Sequence, residues 1–123
     1  MYSIKIRDHV MISHSFNDSF FGPASKLHGA TYIVDVTFYS KELNEYSVVI
    51  DIAIAQEMLS KTLAPLKFAN LDELPQFNAK LTTSEFLAWY IHDQIQEKTS
   101  QIFTGKIKVT LGESHIAWAS YED

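Results

Sequence analysis

Apolar residues fall at every second position over two long stretches near the start of the chain. In "YSIKIRDHVMISHSF", Ile4, Ile6, Val10 and Ile12 alternate with polar residues, with an irregularity near Asp8. A strand is predicted there. From Ala30, the residues Tyr32, Val34, Val36 and Phe38 alternate with Ile33, Asp35, Thr37 and Tyr39, in a run dense in β-branched and aromatic types, which predicts a second strand. The intervening "NDSFFGPASK" reads as a loop. After a turn in "KELNEYS" and a short extended piece "VVI", the spacing becomes helical: Asp51 caps a helix carrying Ile52, Ala55, Leu59 and Leu63 that stops near Pro65. "LKFANLDELPQFNAKL" reads as an irregular connection. Thr82 and Glu85 form a capping box for a second helix, from about Ser84 to about Lys98, with Phe86, Leu87, Tyr90, Ile91 and Ile95 as its apolar stripe. "KIKVTL" and "HIAWASY" give two more strands, with Gly112 at the bend between them.

The order is strand, strand, helix, helix, strand, strand. It predicts an α+β fold, a four-stranded antiparallel sheet with both helices on one face. Such a sheet leaves edges to be covered, which points to a homo-oligomer. At 123 residues the expectation is one domain spanning 1–123. With 46% hydrophobic and 20% charged residues, the chain can bury a core and is neither disordered nor fibrous.

Fifteen acidic against ten basic residues give a formal charge of −5, with the lysines scattered. This disfavours a nucleic-acid partner, which requires a basic surface. The absence of cysteine excludes disulfides, thiolate metal sites and thiol nucleophiles. The N-terminal stretch lacks both a signal peptide's apolar region and a run of about 20 apolar residues. A cytoplasmic protein with no membrane partner is expected.

Histidines at 9, 14, 28, 92 and 115 are the clearest candidates for metal or acid–base chemistry. His92 sits beside Asp93 and Gln94 and reads as a solvated helix residue; His9 lies in the irregular part of the first strand. His14 ends the first strand and His28 begins the second, so an antiparallel hairpin brings them together. They are either ordinary strand-end histidines or two imidazoles of a zinc site, which in catalytic form takes three protein ligands. Glu113 and His115, two apart in a strand-like segment, share a face. Glu113 is either a solvated turn carboxylate or an acceptor for a forked pair of N–H donors. No nucleophile-elbow motif is present.

These segments together resemble the 6-pyruvoyltetrahydropterin synthase and 6-carboxytetrahydropterin synthase family over nearly the whole chain. "ISHSF", "LHGATY", "VVIDIAIAQEML", "TTSEFLAWYI" and "ESHIAWASY" are similar to that family's motifs in the same order. The resemblance implies the tunnelling fold, whose subunits join edge to edge into a barrel. It implies zinc ligands at His14 and His28, a pterin-anchoring glutamate at Glu113, and a pocket-lining threonine at Thr83. It also exposes departures: the third zinc histidine falls on Ala30, the catalytic cysteine on Ala24, and the catalytic Asp–His pair on Lys67 and Phe68. Losing acid–base groups costs roughly 100-fold to 10,000-fold in rate apiece.

Three readings stand at this point. In the first, the protein binds a pterin- or purine-like heterocycle at a subunit interface through Glu113 and Thr83, without the family's usual lyase chemistry. In the second it is a lyase with altered, metal-assisted catalysis, in which His115 or His9 replaces a missing group. The third makes it an oligomeric scaffold with a vestigial pocket.

Overall fold

The computed structural model describes residues 1–123. Its order is β1 (Tyr2–His14), β2 (His28–Ser40), α1 (Ile52–Leu63), α2 (Ser84–Thr99), β3 (Lys106–Ser114) and β4 (Ala117–Glu122), with short 3₁₀ segments at Ser19–Ser25, Leu71–Glu73 and Pro75–Phe77. The strands form one antiparallel sheet in the order β1-β2-β3-β4. No helix is long and apolar enough to cross a membrane.

Alternation places one side-chain set of each strand against the helices. Ile6, Val10 and Ile12 of β1, Tyr32, Val34, Val36 and Phe38 of β2, and Ile107, Val109 and Leu111 of β3 are all buried. They meet Ala55, Leu59 and Leu63 of α1 and Leu87, Ala88, Ile91 and Ile95 of α2 in one core cluster. Lys5, Arg7, His9 and Met11 lie on the opposite, helix-free face and are exposed.

That open face contains one buried charge. Asp35 stands directly opposite Arg7, accepts from its Nε at 2.6 Å and Nη2 at 2.9 Å, and has Lys5 Nζ at 3.4 Å. The forked hydrogen bond from Arg7 holds the Asp35 carboxyl below the usual aspartate range, against the opposing effect of partial burial.

Five sequence-based expectations are corrected. β1 has no irregularity at Asp8: its register runs unbroken from Tyr2 opposite Ser40 to His14 opposite His28. The interruption is only chemical, a carboxylate on a half-buried position that accepts from the His9 N–H at 2.7 Å. "VVI" is not extended pairing, because the Asn44 side chain and N–H take the backbone groups of Tyr46 and Val48 that a ladder would use. Gly112 lies inside β3, opposite Ile33 and Trp118, and the bend comes after Ser114; the indole of Trp118 occupies the space where a Cβ on Gly112 would stand. The α2 cap is Thr83, which accepts from the Phe86 N–H at 3.1 Å; the Thr82 hydroxyl points to His14 instead. His92 is not solvated: it is 3% exposed, and its Nε2 lies 2.8 Å from Asp123 Oδ1, which also accepts from the Ile107 N–H at 3.0 Å. A carboxylate reaching in from the end of β4 makes that burial tolerable.

Two predictions follow from this packing. A Cβ on Gly105 would collide with the Tyr39 carbonyl oxygen and the Phe103 ring, so G105A should lose about 1–3 kcal/mol in chemical denaturation. Because the Asp35 carboxyl is depressed in the folded state, its pair stabilises above the ordinary aspartate pKa and is lost as pH falls through the lower folded value. D35N should therefore melt below the parent at pH 7 and show a flatter pH dependence below about pH 4.

Candidate functional site

The β1–β2 register ends with His14 opposite His28, and the two rings stand 4.6 Å apart between centroids. His14 is fully buried, and Phe16 packs on it at 4.7 Å. Its Nδ1 is 3.0 Å from Thr82 Oγ1 in the segment leading into α2. Burial lowers the His14 pKa, and the neighbouring His28 adds to this; Asp72 and Glu113 act weakly the other way. The Nε2 of His14 has no hydrogen-bond partner. His28 Nδ1 donates to the Lys26 carbonyl at 2.8 Å, since a carbonyl can only accept, which leaves Nε2 as the basic nitrogen of the neutral ring.

Both imidazoles are thus oriented through Nδ1 with Nε2 free, the arrangement of metal-ligating histidines. The third donor is missing. Ala30, two residues along on the face of His28, has no donor atom, and no group of three His, Cys, Asp or Glu side chains is placed to hold a metal ion. The residues present therefore do not fit a three-ligand zinc site.

The chain's second polar cluster begins one strand further across the sheet. Ser84, first residue of α2, donates from Oγ to Glu113 Oε2 at 3.2 Å, joining the helix start to the end of β3. Thr83, the cap, is its immediate neighbour. A cleft of about 210 Å³ opens here, lined by Ser84, Glu85, Glu113, Ala117, Trp118 and Ala119. Trp118 is half-exposed, and its indole stands over Gly112. Beneath the cleft lies Tyr32 of β2, 1% exposed, its hydroxyl unpartnered and its ring 6.5 Å from that of His14. Burial raises the Tyr32 pKa, which keeps the phenol protonated. A larger cleft of about 690 Å³, lined by Ile4, Tyr46, Val48, Ile52, Ile54 and Ile102 among others, lies at the opposite end of β1.

The structure thus brings His14 to His28, and brings Ser84, the residue after Thr83, to Glu113. His115 falls in the turn after β3, beyond the reach of strand alternation, so a shared face with Glu113 does not follow from the strand pattern. His9 is exposed on the helix-free face. Lys67 and Phe68 are exposed, and Phe68 adopts φ 59° with its N–H donating to the Met11 carbonyl at 2.7 Å. Ala24 accepts from the Phe16 N–H at 3.1 Å. Ser84, Thr82 and Tyr32 were not anticipated. Tyr32 reads as one more strand aromatic, and nothing in "LTTSEF" tells which hydroxyl caps and which faces the sheet.

No curated protein sequence matches the chain significantly. Among solved structures, the chain is similar to a 6-pyruvoyl tetrahydropterin synthase from Caenorhabditis elegans at 21% identity and TM-score 0.87, over 99% of this chain and 95% of that one. It also resembles the corresponding synthases from Plasmodium vivax, at 17% identity and TM-score 0.79 over 100% and 99% of the two chains, and Plasmodium falciparum, at 17% and 0.75 over 98% of each. These likenesses establish the tunnelling fold. The sequence profile of the 6-pyruvoyl tetrahydropterin synthase family matches residues 3–123, and the chain belongs to that family.

Proposed function

We propose that the protein binds a pterin- or purine-like heterocycle through Glu113, as a cytoplasmic homo-oligomer, and has lost the usual lyase chemistry. The carrying observation is the Glu113 carboxylate, set in a cleft at the start of α2 and steadied by the Ser84 hydroxyl. A carboxylate meets two adjacent N–H donors of a flat heterocycle as a fork, and the α2 N-terminus with its Thr83 cap supplies polar groups beside the ring. The exposed sheet edges of β1 and β4 favour assembly.

The same positions speak against lyase turnover. Ala24, Lys67 and Phe68 supply no thiol and no Asp–His pair. A metal-assisted lyase using His14, His28 and His115 is the second reading, favoured by the two free imidazole nitrogens. With the donor set incomplete, no catalytic step is assigned to a metal.

Isothermal titration with pterin and guanine tests the heterocycle. E113A should weaken binding about 100-fold or more, given two charge-assisted hydrogen bonds, and unchanged affinity would refute the anchor. Binding of neither compound to the parent would favour the scaffold reading. Metal analysis of untagged protein tests the other. The parent should hold well under one zinc per subunit, and A30H, which adds an imidazole on the face of His28, should approach one. Zinc near one in the parent would restore the lyase.

A further inference from the structure

The larger cleft, of about 690 Å³, lies at the end of β1 away from both polar clusters. Ile52 and Ile54 in the first turn of α1, Ile102, and Tyr46 and Val48 of the preceding loop all line it, and all are exposed. The buried residues of α1 are Ala55, Leu59, Thr62 and Leu63, so the two isoleucines stand outside the core, where an alanine, glutamate or lysine would be a better helix former. Exposed apolar side chains gathered in one place mark a binding surface, and a concave site of roughly 300–1,000 Å³ suits a small molecule. The loop side is fixed in advance. Asn44 Oδ1 accepts from the N–H groups of Tyr46 at 2.9 Å and Val48 at 3.3 Å, and the Asn44 N–H donates to the Val48 carbonyl at 3.0 Å. The lining carries a single charge, Asp51. One of its oxygens caps α1, accepting from the Ile54 N–H at 3.1 Å, and the other takes no hydrogen bond from the protein. No Lys, Arg or His lines the cleft.

We propose that this cleft binds a hydrophobic primary amine, its ammonium on the free oxygen of Asp51 and its apolar body against Ile52, Ile54 and Ile102. The charge pattern selects the class. A neutral apolar molecule would cover the carboxylate without giving it a partner, and an apolar acid would bring a second negative charge against it. An ammonium supplies donors and the opposite sign. The formal charge of −5 on the chain favours its approach. The N-terminus of α1 offsets part of the Asp51 charge, so the apolar contact supplies most of the affinity and the carboxylate supplies the selectivity. The site shares no residue with the Glu113 cleft and stands independently of the heterocycle reading.

Isothermal titration at pH 7 with octylammonium, octanol and octanoate, which share one apolar chain, tests the assignment. Octylammonium should bind saturably, with the alcohol about fivefold to tenfold weaker and the acid weaker still. D51N removes the charge and keeps an equally good helix cap. It should lose about the same factor for octylammonium and no longer distinguish it from octanol. I52S alters an exposed wall residue and leaves the cap untouched, and should weaken octylammonium and octanol alike by about fivefold or more. Equal binding of the three compounds, unchanged octylammonium affinity in D51N or in I52S, or no saturable binding at all overturns the proposal. A fall in the oligomeric mass of I52S by light scattering, when the parent takes up no octylammonium, would show that a second copy of the chain covers the cleft instead.

Discussion

The pairing of β1 with β2 is the constraint on which the rest depends. A 13-residue antiparallel register without a bulge fixes every side chain of both strands to a face. Slipping it by one residue would move Val10, Ile12 and His14 into solvent and drive Arg7 toward the core. The forked contact between Arg7 and Asp35 locks the register from the open face, while the apolar set locks it from the other. The meeting of His14 with His28 at the end of the pair is a consequence of this register, not of any attraction between imidazoles.

What α2 adds is a connection across the sheet. Thr82, Thr83 and Ser84 are consecutive and do different things: one reaches His14 on β1, one closes the helix N-terminus, one reaches Glu113 on β3. The polar ends of two non-adjacent strands are thereby tied to one helical turn. Buried side-chain polar atoms without a partner occur at two places, His14 Nε2 and the Tyr32 hydroxyl, and both sit under this turn. A fold that is locally consistent elsewhere carries its unsatisfied groups where a ligand would act.

The strands, both helices and their order were legible because period 2 and period 3.6 are written plainly in positions 4–12, 30–39, 52–63 and 107–111. The His14–His28 meeting was legible too, since a hairpin fixes it. Contacts between segments far apart in sequence were less so. His92 sits between charged and amide neighbours and gives no hint that Asp123, 31 positions on, will bury it. Among the adjacent hydroxyl residues at 82–84, local pattern predicts a cap but not which member provides it, because the choice is set by where β1 and β3 end. Tyr32 is legible as a strand aromatic, while the unpaired state of its hydroxyl is a property of its surroundings.

The left-handed turn at Phe68 has one more effect. The Phe68 N–H and the Ala69 carbonyl bond to the Met11 carbonyl and the Ser13 N–H, and Asn70 bridges Ser13 in parallel, so this segment occupies the outward edge of β1 at its far end. Alternation leaves the outward groups of Ser3, Lys5 and Arg7 free, while the His9 N–H is taken by the Asp8 carboxylate at 2.7 Å. Any strand added to this edge must therefore stop short of Met11. The segment acts as a ruler, setting how long a ladder a neighbouring chain can build and keeping the histidine end of the sheet clear of it.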